Sequence, residues 1–217
     1  QLVCNAAMTY LDSQEFYRKW IYDIADCQDK KTGHIQYTAP FVPNSGGGPG
    51  GWGCAVVHVP YEHYRHYGDR SILEEMYPHM LHYFDYLEDH SENNLVISDR
   101  KGSWCLGEWV TPEQETLNLF SGIKIPAPFV NTYFYIKSLK EVLEIAEVLD
   151  NLQDQKMLQH RLFIKKEALQ RTYFNPDTGN FCDNVQGANA FAIDIGLGDD
   201  RTLKNMVANY EQIAHFD

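Results

Sequence analysis

Three tryptophans of this 217-residue chain stand beside glycine: Trp52 in GGWG, Trp104 in GSW and Trp109 in GEW. Around the last two lie four carboxylates, Asp99, Glu108, Glu113 and Glu115. A flat aromatic face stacks on the C–H surface of a sugar ring, and carboxylates accept its hydroxyl protons. Breaking a glycosidic bond asks for two carboxyl groups, one to protonate the leaving oxygen and one to activate water or attack as nucleophile. Glu108, between Gly107 and Trp109, is the best-placed single candidate for such a catalytic role. Trp52, Trp104, Glu108 and Trp109 form the candidate substrate-binding set. A lone tryptophan is commonly a core plug and a lone glutamate a solvated charge. Three tryptophans, each next to glycine and away from any apolar stripe, favour a pocket.

Other chemistries fit less well. The run GGGPGGWGCAVVHVP, residues 46–60, has the glycine density of a phosphate loop but lacks the Lys-Ser or Lys-Thr that must follow one. The stretch before it is broken by Pro40 and Pro43, so no buried strand feeds it. The expected role of these glycines is to let the loop fold over a pocket mouth, with Gly53 freeing one face of Trp52. Cys54 and His58 are four residues apart, with His63 and His66 close by, but there is no HExxH and no CxxC pair. The nine histidines therefore read as part of a packed aromatic belt, and neither a metal nor a cofactor is expected. No GxSxG nucleophile elbow occurs. The five cysteines are scattered, which suits buried thiols better than a disulfide framework. A net charge of −12 without a Lys/Arg stripe argues against nucleic acid and anionic membranes as partners. No apolar stretch approaches the roughly 20 residues that a membrane-spanning helix needs.

Helices must position these residues. Apolar spacing and capping signals predict helices near 13–28, 53–67, 70–89, 127–149 and 155–173, with shorter ones near 187–197 and 200–214. In the first, an Asp12–Glu15 capping box precedes a face of Phe16, Trp20, Ile24 and Cys27. In the third, a Ser71–Glu74 box precedes the stripe Leu73, Met76, Met80, Phe84 and Leu87, with Pro78 expected to kink the helix or mark its first turns. Gly68-Asp69 and Gly198-Asp199 lead at equal offsets into Leu73/Met76 and Leu203/Met206. In both places a helix is expected to end at glycine and the next to start near aspartate, as in αα-hairpins. NLVISDR and GNFCDN offer short hairpin strands at most. The expected fold is all-α, an array of antiparallel helix pairs with long loops near 30–52 and 91–126. Loops of that length in a helical array are usually functional.

The segments FYRKWIYDIADCQ, GGWGCAVVHVPYEHYRHYGD and GEWVTP, in that order, resemble the catalytic domain of bacterial α-L-rhamnosidases, glycoside hydrolase family 78. The resemblance implies an (α/α)6 toroid of six hairpins, agreeing with the helix pairs, and covers nearly the whole chain. It implies a single, incomplete toroid domain over 1–217, truncated at both ends, whose partners are the remaining barrel helices and accessory β domains. The implied substrate is a rhamnose-containing oligosaccharide or glycoside, hydrolysed with inversion by carboxylates roughly 6.5–9.5 Å apart, without a cofactor. Both family carboxylates would then lie outside these residues, the acid just before Gln1 and the base beyond Asp217. What carries over is the sugar pocket, with Trp52 and Trp109. Two departures bear on specificity: Cys54 stands where the family has Asp in GWGDA, and Glu108 where it has Asp in GDW. Two other readings remain open at this point, a six-hairpin enzyme for another sugar and a non-catalytic helical-repeat module binding carbohydrate or protein. Compartment is not fixed by the sequence; a periplasmic or secreted location is the expectation if a leader precedes Gln1.

Overall fold

The computed structural model describes residues 1–97, 107 and 125–213. Its helices are α1 (Cys4–Tyr10), α2 (Gln14–Asp26), α3 (Ala55–Tyr67), α4 (Arg70–Asp89), α5 (Ala127–Val148), α6 (Leu152–Tyr173), α7 (Gln186–Asp194) and α8 (Asp200–Ile213). Two antiparallel two-stranded pieces join them, β1 (Ser91–Glu92) with β2 (Leu95–Val96) and β3 (Phe174–Asn175) with β4 (Asn180–Phe181). Asn93 and Asn94, φ 52° and 66°, make the left-handed turn that a two-residue hairpin needs.

The helices form two rows. In the inner row α1 packs on α3 and α3 on α5, while Tyr133 of α5 stacks on Phe191 of α7. The outer helices α2, α4, α6 and α8 lie against them. This explains the helix compositions. Inner α5 buries Phe129, Val130, Tyr133, Tyr135, Ile136, Leu139 and Val142, which face several directions around its axis. Outer α4 buries the whole predicted stripe of Leu73, Met76, Met80, Phe84 and Leu87. Two apolar clusters result, one around α1–α4 and one around the hairpins, α6 and α7, and α5 contributes to both.

Connections alternate in length. Those from inner to outer helices are short, at 11–13, 68–69, 149–151 and 195–199, and those from outer to inner helices are long, at 27–54, 90–126 and 174–185. Packed helices joined by short links run antiparallel. Hence α2, α4 and α6 finish, and α3, α5 and α7 start, at one end, the mouth. At the other, closing end α3, α5 and α7 are each followed by a left-handed residue: Gly68 (φ 70°), Asp150 (φ 58°) and Gly196 (φ 77°). A fully buried Lys165 binds the mouth half together. Its Nζ donates to Glu88 Oε2 at 2.9 Å and Ser91 Oγ at 3.0 Å, while Tyr135 Oη donates to Glu88 Oε1 at 2.8 Å.

Several expectations shift in detail. Of the expected α2 face Ile24 and Cys27 are buried and Trp20 is partly buried against the core, but Tyr17 and Ile21 take the place of Phe16, which is 66% exposed. Aromatic residues occupy both sides of that helix, so spacing alone did not separate them. Neither capping box forms: Ser13 precedes α2 without a side-chain cap bond, and Ser71 lies inside α4, donating to Asp69. Asp199 does cap α8, accepting from the backbone N–H groups of Arg201 and Thr202. The glycine that ends α7 is Gly196, not Gly198. Leu203 is half exposed and Thr202 takes the buried position in α8. Helix α4 runs on through Pro78. The chain's first helix is the short α1, ending at Tyr10.

Candidate functional site

The first long connection, 27–54, doubles back on itself at the mouth. Gln36 faces Gly47 in an antiparallel bridge, Tyr37 N–H donates to Gly46 O at 3.3 Å, and Gly48 N–H donates to Ile35 O at 3.0 Å. This brings the glycine run against the start of α3. A Cβ at Gly53 would lie 2.1 Å from Gly48 O and 2.3 Å from Tyr83 Oη. Close packing of backbone on backbone is therefore what demands glycine at 53. The expectation that Gly53 bares a face of Trp52 is replaced by this one.

Trp52, partly exposed, lines a cavity of about 100 Å³ with Trp20, Ile24, Ile35 and Gln36. Trp20 is fixed by its Nε1–H, which donates to Ala39 O at 3.0 Å. Two amide oxygens of the cavity wall, Gln1 Oε1 and Gln36 Oε1, are buried and accept no hydrogen bond. A buried acceptor left unpaired costs roughly 1–3 kcal/mol, so the cavity is suited to water or to a ligand bearing hydroxyl donors. Aromatic rings and unpaired acceptors in one lining are the two halves of sugar recognition.

Cys54 stands behind this wall. Its Sγ donates to Gly51 O at 3.0 Å and accepts from Gln1 Nε2 at 3.2 Å. Burial, reinforced by the nearby Glu141 charge, pushes its thiol up to about 12, so it stays neutral. A neutral donor thus holds the backbone beside Trp52. Below the mouth, polar pairs tie the inner helices together: Asn5 to Glu62 at 2.7 Å, His58 Nδ1 to Glu141 Oε1 at 2.8 Å, Tyr61 to Glu144, and Tyr133 to Asp194 at 2.8 Å. Burial alone would lower the pKa of His58. Hydrogen bonds and charge from Cys4 and Glu141 outweigh it and raise the pKa to about 10. His58 is therefore an imidazolium paired with Glu141 at neutral pH.

The other histidines near Cys54 are engaged in packing. His63 is fully buried, with Nε2 3.2 Å from Gln14 O, and His66 Nδ1 donates to Glu62 O at 2.9 Å. Among the described residues no three His, Cys, Asp or Glu side chains converge as a metal ion would require. Cys4, Cys27, Cys54 and Cys182 are free thiols. Among the described residues no helix is long and apolar enough to cross a membrane.

Trp104, Glu108 and Trp109 lie outside the described residues, as do Asp99, Glu113 and Glu115. Gly107 is described, and a Cβ there would lie 2.6 Å from Ala127 Cβ, so it sits against the start of α5. Sequence reasoning passed over Gln36 as a site residue and placed Trp20 on the core face of the first helix, because only the doubled-back loop brings them beside Trp52. It also passed over the third long connection, where Cys182, Asp183 and Asn184 all have positive φ. The run CDN before a helix was the available signal, since Asp and Asn tolerate that conformation best.

Residues 1–214 match the family described as the bacterial alpha-L-rhamnosidase 6 hairpin glycosidase domain. An alpha-L-rhamnosidase of Formosa agariphila is 25% identical over 226 residues, covering 96% of this chain and 22% of that protein. One of Streptomyces avermitilis is 39% identical over 109 residues, 50% of this chain and 10% of that protein. The chain thus spans about a fifth or less of the length of these relatives. A crystal structure of a Streptomyces avermitilis alpha-L-rhamnosidase complexed with L-rhamnose superposes with a TM-score of 0.82 at 25% identity, over 98% of this chain and 19% of that one.

Proposed function

Because this chain belongs to the six-hairpin glycosidase domain family of bacterial α-L-rhamnosidases, we propose that it forms the sugar-facing part of an enzyme that releases terminal α-L-rhamnose with inversion. In this reading residues 1–217 are one incomplete toroid domain, and the two catalytic carboxylates are supplied from outside them. Trp52, Trp104, Glu108 and Trp109 face the sugar, Trp52 by stacking and Glu108 as a hydroxyl acceptor. The observation that carries the reading is the cavity at the mouth, lined by Trp52 and Trp20 together with Gln1 and Gln36, whose amide oxygens are buried and unpaired. The relative complexed with L-rhamnose supports the same sugar. The neutral Cys54 thiol, at the family's Asp position, removes a charge from behind the pocket wall, where it holds Gln1 and the backbone beside Trp52, and so acts on which sugar fits.

The test uses the intact protein and an aryl α-L-rhamnoside. Release of L-rhamnose is expected, and Trp52→Ala should weaken transition-state binding by about 1–3 kcal/mol, the scale of a lost aromatic contact with its buried area. That is roughly 5- to 150-fold in kcat/KM, with little change in Tm. Normal kcat/KM with a collapsed Tm would make Trp52 a core plug. Turnover of another glycoside in place of the rhamnoside would move the enzyme to another sugar.

A further inference from the structure

The third long connection carries its own groove. Pro126, Tyr173, Phe174, Asn175, Cys182 and Asp183 enclose about 330 Å³ where α6 ends and α5 begins, which is the mouth end. Tyr173 and Phe174 are both partly exposed there. Cys182, Asp183 and Asn184 have φ of 46°, 55° and 69° in succession, and none is glycine. Each such residue costs of order 1–3 kcal/mol unless its surroundings hold it. Here they do. Asn209 Nδ2 donates to Asn184 O at 2.8 Å, Asn184 Nδ2 donates to Asn209 Oδ1 at 3.0 Å, and Asn189 Nδ2 donates to Asn184 Oδ1 at 3.1 Å. Asn189 is fully buried and its Oδ1 accepts from Phe181 N–H at 2.8 Å. Asparagines of α7 and α8 thus hold an unfavourable turn whose middle residue is Asp183. The Asp183 side chain is exposed and makes no hydrogen bond or ion pair among the described residues.

A held turn that presents an unpaired carboxylate beside two aromatic rings suits a ligand with both a C–H face and hydroxyl donors. An anion is disfavoured by Asp183 itself and by the net charge of −12. We propose that this groove is a second sugar subsite, taking the pyranose ring next to the terminal residue of a longer substrate, with Asp183 accepting its hydroxyl protons. The proposal rests on the glycosidase reading above. A shorter substrate with an aryl group in place of that ring would not reach the carboxylate.

Kinetics of the intact protein on an aryl α-L-rhamnoside and on a rhamnosyl disaccharide test it, with Asp183→Asn and Asp183→Gly. Asn and Gly both tolerate positive φ, so folding is retained and Tm should not fall. A hydrogen bond to a charged acceptor is worth enough that Asp183→Gly should raise KM for the disaccharide about tenfold. Asp183→Asn should have a smaller effect, and the aryl substrate should be unaffected by either. Unchanged disaccharide kinetics, or parallel losses on both substrates, would overturn the subsite. If the intact protein cleaves neither compound, the rhamnosidase reading fails by itself. Calorimetric titration with free disaccharides then decides the groove: binding lost in Asp183→Gly keeps it, and no binding, or binding indifferent to that variant, removes it.

Discussion

Asp150 and Asp183 share a backbone conformation, φ 58° and 55°, at opposite ends of α6. At the closing end Asp150 is part of a self-contained device. Its N–H donates to Glu147 O at 3.1 Å and the Asn151 N–H donates to Ala146 O at 2.8 Å, the paired bonds of a Schellman motif. One left-handed residue is how many helices end, and the paired backbone bonds that hold it lie within six residues. At the mouth end Asp183 is one of three such residues in succession, and the third, Asn184, is held by Asn189 of α7 and Asn209 of α8. Conformation held by local bonds marks a helix terminus. The same conformation held by distant elements marks a place where the chain is kept in a shape for another purpose.

The first long connection obeys the mouth-end rule, and it is where the contrast can be broken most forcefully. Gly53→Ala puts a methyl group 2.1 Å from Gly48 O and 2.3 Å from Tyr83 Oη, contacts that require the doubled-back loop or α4 to move. Overpacking of that kind should cost about 3 kcal/mol, read as a fall in denaturant midpoint. The cavity beside Trp52 should distort with it, so activity should fall further than stability alone dictates. If Gly53→Ala unfolds no more readily than the parent, the loop is not packed as described.

A second, smaller effect probes the inner row beneath the mouth. Glu141→Gln leaves His58 without the carboxylate it faces at 2.8 Å. Loss of one charged partner should cost about 2 kcal/mol near neutral pH. The pKa of His58 is raised from its ordinary value of 6.5 to about 10, so the stability it contributes is fully present below pH 6.5 and is lost as pH rises through 10. Stability curves of parent and Glu141→Gln should therefore lie apart at pH 6–7 and approach one another toward pH 10. Curves that stay parallel across that range would show that Glu141 acts by packing instead.

Legibility in the sequence divides along the same line. Features with local causes were readable: the α4 stripe, the Gly68 and Asp199 turns, the short links and hence the hairpin array. Those fixed by distant partners were not. The α2 face depends on which aromatic side α3 covers. The reason for Gly53 is Tyr83, thirty residues away. Gln36 matters only because a bridge to Gly47 turns it toward Trp52. Trp52 was singled out from its glycine neighbours, and its place in the cavity wall rests on Trp20 and Ile35, which no motif joins to it.

The smallest expected effect separates the two aspartates most cleanly. Four left-handed residues lie in the links of the closing end, Gly68, Asp150, Gly196 and Gly198, and only Asp150 carries a side chain. That side chain is 87% exposed, and its ion pair with Arg70, at 3.8 Å, is of the kind that contributes little. Gly196 ends α7 with the same pair of backbone bonds, from Gly196 N–H to Ile193 O and from Leu197 N–H to Ala192 O. Glycine is thus demonstrably at home in this motif within the same molecule. Asp150→Gly removes the steric cost of a Cβ at positive φ, and the greater freedom it gives the unfolded chain offsets only part of that gain. A stabilisation of about 0.5 kcal/mol is expected, with kinetics on every substrate unchanged. Asp183→Gly relieves the same kind of strain, but there the gain in stability should arrive together with a loss on the longer substrate. Thermal denaturation and KM, measured side by side for the two variants, read this difference directly. Should Asp150→Gly alter substrate kinetics, or Asp183→Gly leave them untouched, the two ends of α6 would be doing the same job.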